Sequence, residues 1–168
     1  AFMGSLTGSA FTSDGTEGLN GAKLAIKEIN AAGGVAGYKV ELLSYDTKEM
    51  TPDAVISAFQ RIEGNDDISA TVSSLTSLTN FELEYFSELG MPYLLAVNSQ
   101  QTRDFISPNP DAYSNVWSLT PSYDGYETEL PVVLEGLIKA GTLNARDRTV
   151  ALIGADNPYS MSIYGGLK

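Results

Sequence analysis

The sequence predicts an α/β protein built on a parallel sheet, and three observations carry that expectation. Short apolar runs alternate with segments of helical periodicity along nearly the whole chain. The runs are mostly continuous rather than alternating, as in strands covered on both faces. Glycine and proline fall at the boundaries between the segments. Repeated strand–helix units of this kind give a three-layer sandwich, helices on both sides of the sheet, with right-handed crossovers.

The elements follow in order. Ala1 to Gly4 reads as the end of a buried strand. A helix is expected from Thr16 to Ala32, with Leu19, Ala22, Ile26 and Ile29 on one face, and Gly33 and Gly34 end it in a left-handed cap. Lys39 to Tyr45 is the second strand, and Thr51-Pro52 a good helix start because proline is tolerated where no amide partner exists. Val55, Phe59 and Ile62 form the inner stripe of that helix. Ile68 to Ser73 is the third strand; Leu78, Phe81, Tyr85 and Leu89 mark the next helix, closed by Gly90. Pro92 to Val97 is the fourth strand and Asn115 to Leu119 a short fifth, separated by a loop rich in proline and asparagine. A helix over about Gly125 to Ala140, kinked at Pro131, precedes a strand at Thr149 to Ile153 and a last helix from Tyr159. No internal repeat, low-complexity segment or flexible linker interrupts the pattern, and Asn144 to Arg148 is a charged, turn-like break.

Composition narrows the function. The 168 residues, 43% apolar and 18% charged, suit one well-buried domain, or one domain and a piece of another. Ten Lys and Arg against 21 Asp and Glu give a net charge of −11, which disfavours nucleic acid and anionic membrane surfaces as partners. With no His and no Cys, Ser-His-Asp and Cys-His nucleophiles, Cys/His zinc sites and disulfides are all impossible. Paired carboxylates and a Ser-Lys arrangement remain open, with no positive sign of either. The segment from Gly15 to Lys23 is not a phosphate loop, since Lys23 follows Ala22 and precedes Leu24. The turn Gly4-Ser-Leu-Thr-Gly8 lacks the third glycine of a dinucleotide fingerprint. Glu63, Asp66 and Asp67 read as solvated surface, and Asp46, Glu49 and Asp53 as residues flanking a helix start, without the spacing of a calcium loop. No cofactor and no metal is expected.

In open parallel sheets ligands bind beyond the carboxyl ends of the strands. Three loops meet at that edge: Ser5 to Gly15, Ser74 to Ser77, and Asn98 to Thr102. All are rich in hydroxyls or amides and none is basic. Free amides at helix starts and neighbouring hydroxyls suit a carboxylate. The same residues also serve as helix caps, and the two roles remain open on each loop.

These residues resemble a family. Gly4-Ser-Leu-Thr-Gly8 is similar to the first loop of type I periplasmic solute-binding proteins of the branched-chain amino-acid-binding kind. Asn20-Gly-Ala-Lys-Leu-Ala-Ile-Lys-Glu-Ile-Asn30, followed by Ala31-Ala-Gly-Gly-Val-Ala-Gly37, resembles that family's first helix and the glycine-rich turn after it. Tyr45-Asp46, Pro52, Ala54-Val55, Leu75-Thr-Ser77, Gly90-Met-Pro92 and Thr120-Pro-Ser122 fall in the family's order.

The resemblance implies two α/β lobes joined by hinge strands, with ligand clamped between them and delivered to the membrane subunits of an ABC importer. It implies residues 1–120 as most of lobe one, residues 121–168 as the start of lobe two, and a periplasmic or extracytoplasmic location. Because the chain opens inside an apolar run and stops inside a helical pattern, it reads as a trimmed piece of something larger, compatible with export.

By position, Thr76 and Ser77 match the ligand loop after the third strand, with the Ser77 hydroxyl on the ligand carboxylate. Ser99 matches a hydroxyl residue contacting carboxylate and ammonium, and Asn98 a residue offering its backbone carbonyl to the ammonium. Tyr159 matches a cleft aromatic of lobe two. Tyr123 stands where the family usually has an aspartate that pairs with the ammonium, with Asp124 one residue later. A slipped register, a ligand without an ordinary amino group, a ring stacked on Tyr123 and simple packing all fit this departure. A sensory domain of the same fold and a flavodoxin-like enzyme are the competing functions.

Overall fold

Each of the five strands is three residues long, and together they set the architecture: β1 (Phe2–Gly4), β2 (Ser44–Asp46), β3 (Thr71–Ser73), β4 (Tyr93–Leu95) and β5 (Val116–Ser118). The computed structural model describes residues 1–98, 100–122, 125–144, 151, 153–156 and 158–166. All pairings are parallel, in the order β2-β1-β3-β4-β5. The chain divides into two compact units, Ala1–Thr120 and Pro121–Lys168, and the sheet belongs wholly to the first.

Alternation along the strands sorts residues between the two faces of the sheet. Met3, Tyr93 and Leu95 point into one buried cluster with Val55, Ala58, Phe59 and Ile62 of α2 (Pro52–Glu63) and Leu83 and Phe86 of α3 (Glu82–Leu89). The rings of Phe86 and Tyr93 stack, centroids 4.0 Å apart and 3° from parallel, and Phe59 meets Phe86 edge-on at 5.1 Å. On the other face Phe2 lies under α1 (Thr12–Ala31), where a methyl on Gly18 would come within 3.4 Å of its ring. Farther along that face Trp117 of β5 is 62% exposed.

The expected stripe Val55, Phe59 and Ile62 is the buried face of α2, with Thr51 and Pro52 at its start. Other expectations need correction. α1 begins four residues before Thr16, because the Ser9 hydroxyl accepts from the Phe11 amide and the Ser9 carbonyl from the Thr12 hydroxyl, turning the chain into the helix early. α3 begins at Glu82, so Leu78 lies outside it and is exposed, while Glu82, Leu83 and Phe86 are the fully buried positions. The second paired strand is only Ser44–Asp46, since residues 39–43 lie outside the named strands apart from the Leu43 carbonyl, which accepts from Phe2. The segment after β4 is not a plain loop: Gln100–Ile106 forms α4 and Pro110–Tyr113 a single 3-10 turn.

In the second unit α5 (Gly125–Lys139) holds Pro131 internally and packs on α6 (Pro158–Gly166). Of the strand expected at Thr149–Ile153, only residues 151 and 153 are described, and neither is in a strand. No helix among the described residues is long and apolar enough to cross a membrane.

Candidate functional site

With the order β2-β1-β3-β4-β5, the chain leaves β1 toward β2 on one side and continues from β3 on the other. Such a change of direction marks the carboxyl ends of β1 and β3 as the place where parallel sheets generally take ligands. The loops after these strands are joined directly, the Ser5 amide donating to the Leu75 carbonyl at 3.2 Å. Helix α1 reaches the same spot because Gly15 has no side chain; a methyl there would lie 1.8 Å from the Ser5 carbonyl oxygen.

The first loop is shaped by a carboxylate from β2. Asp46 accepts from the amides of Leu6 (2.8 Å), Thr7 (3.2 Å) and Lys48 (2.8 Å), and from the Thr7 hydroxyl. Burial pushes its pKa up, but the Thr7 hydroxyl and the three amides outweigh that and hold it below the ordinary aspartate value. Asp46 is therefore a clamp on the loop after β1 rather than a helix cap. The Ser5 hydroxyl adds a second tie, donating to the Lys48 carbonyl at 2.7 Å and lying 2.6 Å from Ser9 Oγ.

The loop after β3 folds over a buried acid. Ser77 is 2% exposed; its hydroxyl donates to Glu82 Oε2 at 2.6 Å and accepts from the Asn80 amide at 2.9 Å. Thr76, equally buried, turns its hydroxyl onto the carbonyls of Met3 (3.3 Å) and Ser74 (3.4 Å). Both hydroxyls are thus committed inside the protein, while among the described residues the backbone amides of Thr76 and Ser77 donate to nothing. Glu82 also receives Tyr93 Oη at 3.5 Å and the Asn80 side chain. Burial drives its pKa above the ordinary glutamate value, against the hydrogen bonds of Ser77, its own backbone, Asn80 and Tyr93. Tyr93 is pushed well above its ordinary value, by burial first and by the neighbouring Glu82 charge second.

At the end of β4, Asn98 donates from Nδ2 to Ser118 Oγ at 3.0 Å, and Ser118 in turn donates to the Thr120 carbonyl at 2.7 Å. The Asn98 Oδ1 atom is buried and has no protein partner. The same holds for Ser74 Oγ after β3 and Gln101 Oε1 in the first turn of α4. Three of the five buried side-chain polar atoms left without a partner among the described residues therefore follow β3 or β4, although buried polar atoms are ordinarily hydrogen-bonded.

The structure thus places Thr76, Ser77 and Asn98 beyond the carboxyl ends of β3 and β4 in unit one. Ser99 and Tyr123 lie outside the described residues, and Tyr159 falls in the first turn of α6, in unit two. Sequence reasoning missed Glu82, because an acid in a first helical turn ordinarily serves the dipole and faces water. Ser74 and Gln101 fall in the loops that the sequence places at this edge, but their interest is the lack of a partner, which the sequence does not carry. No group of three metal-ligating side chains is assembled among the described residues.

Solved structures share this arrangement. A protein described as a branched-chain amino acid ABC transporter from Silicibacter pomeroyi superposes with a TM-score of 0.86 at 24% identity, over 99% of this chain and 43% of its own. An ABC transporter substrate-binding protein from Desulfitobacterium hafniense, in complex with Leu, gives 0.66 at 21% identity over 98% and 45%. A branched-chain amino acid ABC transporter protein from Rhodospirillum rubrum gives 0.62 at 21% over 98% and 43%. At these identities the likeness establishes the fold, that of type I periplasmic binding proteins, and the chain spans less than half the length of each of these structures. No curated protein sequence matches the chain. The model of the periplasmic binding protein family matches residues 1–168 without a gap at either end, and with the parallel sheet and its switch-point edge this establishes that the chain belongs to that family.

Proposed function

We propose that the chain supplies lobe one and the start of lobe two of an extracytoplasmic solute-binding receptor for a small amino acid or related carboxylate, and that the receptor delivers its ligand to the membrane subunits of an ABC importer. The two lobes correspond to residues 1–120 and 121–168. The observation that carries the reading is the set of buried, unpartnered polar atoms Ser74 Oγ, Asn98 Oδ1 and Gln101 Oε1 beyond β3 and β4. A buried acceptor without a partner is costly, and a bound ammonium relieves that cost. The free backbone amides of Thr76 and Ser77 suit the carboxylate of the same molecule, so acceptors and donors on one edge fit a zwitterion. In this reading Ser99 joins Asn98 at the ligand, and Tyr123 and Tyr159 are the contributions of residues 121–168.

Family membership supports the reading, as do structures described as branched-chain amino acid ABC transporters and another described as an ABC transporter substrate-binding protein in complex with Leu. The absence of any His or Cys agrees with a receptor that returns its ligand unchanged. The test is native mass spectrometry of the intact protein, as purified and after addition of leucine. A one-to-one adduct with an amino acid or small carboxylate, recovered chemically unaltered, is the expected result. No adduct across the common amino acids and carboxylates, or a ligand consumed on incubation, overturns the proposal.

A further inference from the structure

The acid under the loop after β3 has no place in the ligand reading, yet it stands at the centre of a buried polar network. Glu82 is fully buried in the first turn of α3, and among the described residues its recorded neighbours are the Ser77 hydroxyl, the Asn80 side chain and Tyr93 Oη, none of them a cation. Asn80 extends the network, its Oδ1 accepting from Thr102 Oγ1 of α4 at 3.0 Å, and Thr102 is itself buried. Tyr93, whose hydroxyl meets Glu82 Oε1 at 3.5 Å, is fixed by its stack on Phe86. Asn80 adopts a left-handed backbone, φ 53°, a conformation asparagine tolerates better than most non-glycine residues.

A network with these costs is poorly explained as a stability device. A buried carboxyl with no cation recorded against it among the described residues opposes folding, and an apolar side chain of similar volume would do as well or better. What the network does provide is a rigid tie between two chain segments far apart in sequence. One is the turn 76–80 after β3; the other is α4, which starts immediately after Asn98 and Ser99. We infer that Glu82 is a positioning residue: through Ser77, Asn80 and Thr102 it locks the loop after β3 to the first turn of α4, so that the two loops present their ligand groups as one unit. The inference rests on the receptor reading for its ligand, but the lock itself is a property of the unliganded protein and can be tested without one.

The experiment compares wild type, Glu82→Leu, Glu82→Gln and Thr102→Val in the intact protein by hydrogen–deuterium exchange, with leucine affinity as a second measurement. Glu82→Gln keeps the shape of the side chain and one acceptor oxygen for the Ser77 hydroxyl, and should exchange and bind much closer to wild type than Glu82→Leu does. Glu82→Leu should speed exchange about tenfold in both 76–80 and 98–106, and weaken leucine binding by a similar factor. Thr102→Val touches neither Glu82 nor Ser77 in the chain of bonds, yet should loosen 76–80 as well as α4, so it carries the test should Glu82→Leu fail to fold. Faster exchange confined to 76–86 in Glu82→Leu, or to α4 in Thr102→Val, overturns the coupling. A lower melting temperature with unchanged exchange in 98–106 and unchanged affinity reduces Glu82 to a structural residue and also overturns it. Failure of the wild type to bind leucine would count against the receptor reading alone, because the exchange comparison still decides whether the two loops are coupled.

Discussion

Gly15→Ala sets two effects of opposite sign against each other. In an exposed helix interior, alanine is worth up to about 1 kcal/mol more than glycine. Gly15, however, is buried where α1 crosses the loop after β1, and its new methyl would lie 1.8 Å from the carbonyl oxygen of Ser5 and 2.6 Å from that carbonyl carbon. Both are backbone atoms, so no side-chain rotation relieves the clash. Helix and loop must separate by roughly 1.5 Å to restore ordinary contact, in an interior with little free volume. The Ser5 amide is bonded to Leu75 and its hydroxyl to Lys48, so the separation strains the whole edge. Overpacking of this kind costs about 1–3 kcal/mol, more where backbone must move. Gly21 is the internal control: it lies in the same helix, exposed, with nothing within 4 Å of an added methyl. Urea unfolding should show Gly21→Ala more stable than wild type by about 0.5–1 kcal/mol and Gly15→Ala less stable by about 2 kcal/mol. Equal stabilisation by both substitutions would refute the close approach of α1 to the ligand edge.

The two perturbed acids give opposite pH signatures. The pKa of Glu82 is raised in the folded state, chiefly by burial, so its favourable contribution is complete below the unfolded glutamate value and is lost as pH rises through the folded one. Thermal unfolding should therefore show wild-type stability falling, relative to Glu82→Gln, as pH climbs above the ordinary glutamate range; parallel profiles would contradict this. The Asp46 pKa is lowered by the Thr7 hydroxyl and the amides of Leu6, Lys48 and Thr7 against its burial, so its contribution is present above the unfolded aspartate value and lost on acidification. Asp46→Ala should cost about 1 kcal/mol at neutral pH, a figure already reduced for its partial exposure, with the difference from wild type shrinking as pH falls. Phe86→Ala, which removes the ring between Phe59 and Tyr93, should cost about 3–5 kcal/mol in chemical denaturation.

Much of the fold was legible because its signals are local. Continuous apolar runs marked strand positions, and Val55, Phe59 and Ile62 at helical spacing marked the buried side of α2. Boundaries were less legible where tertiary contact overrode composition. Gly15 reads as a loop residue, yet it sits inside α1 because its missing side chain lets the helix reach Ser5, as that of Gly18 lets it reach Ser74 and Phe2. In α3 the spacing of Phe81, Tyr85 and Leu89 marked a half-buried flank, while the deeper positions included an acid that no hydropathy pattern places in a core. The sheet edge where the three polar loops meet followed from the parallel-sheet rule. Which of its polar atoms are spent internally did not, since the Ser77–Glu82 bond joins residues whose meeting depends on the turn at Asn80.

Ser74 offers the most direct test of the central claim, that the polar edge beyond β3 and β4 holds the ligand. Its hydroxyl oxygen is buried and unpartnered, so Ser74→Ala should leave the ligand-free protein as stable as wild type or more stable by about 1 kcal/mol. If that oxygen meets a charged group of the ligand, the same substitution removes a hydrogen bond worth about 1.5–3 kcal/mol, and calorimetric titration of the intact protein with leucine should show affinity reduced about ten- to a hundredfold. Affinity equal to wild type in Ser74→Ala, and again in Asn98→Ala, would contradict the account by placing the ligand elsewhere on the molecule.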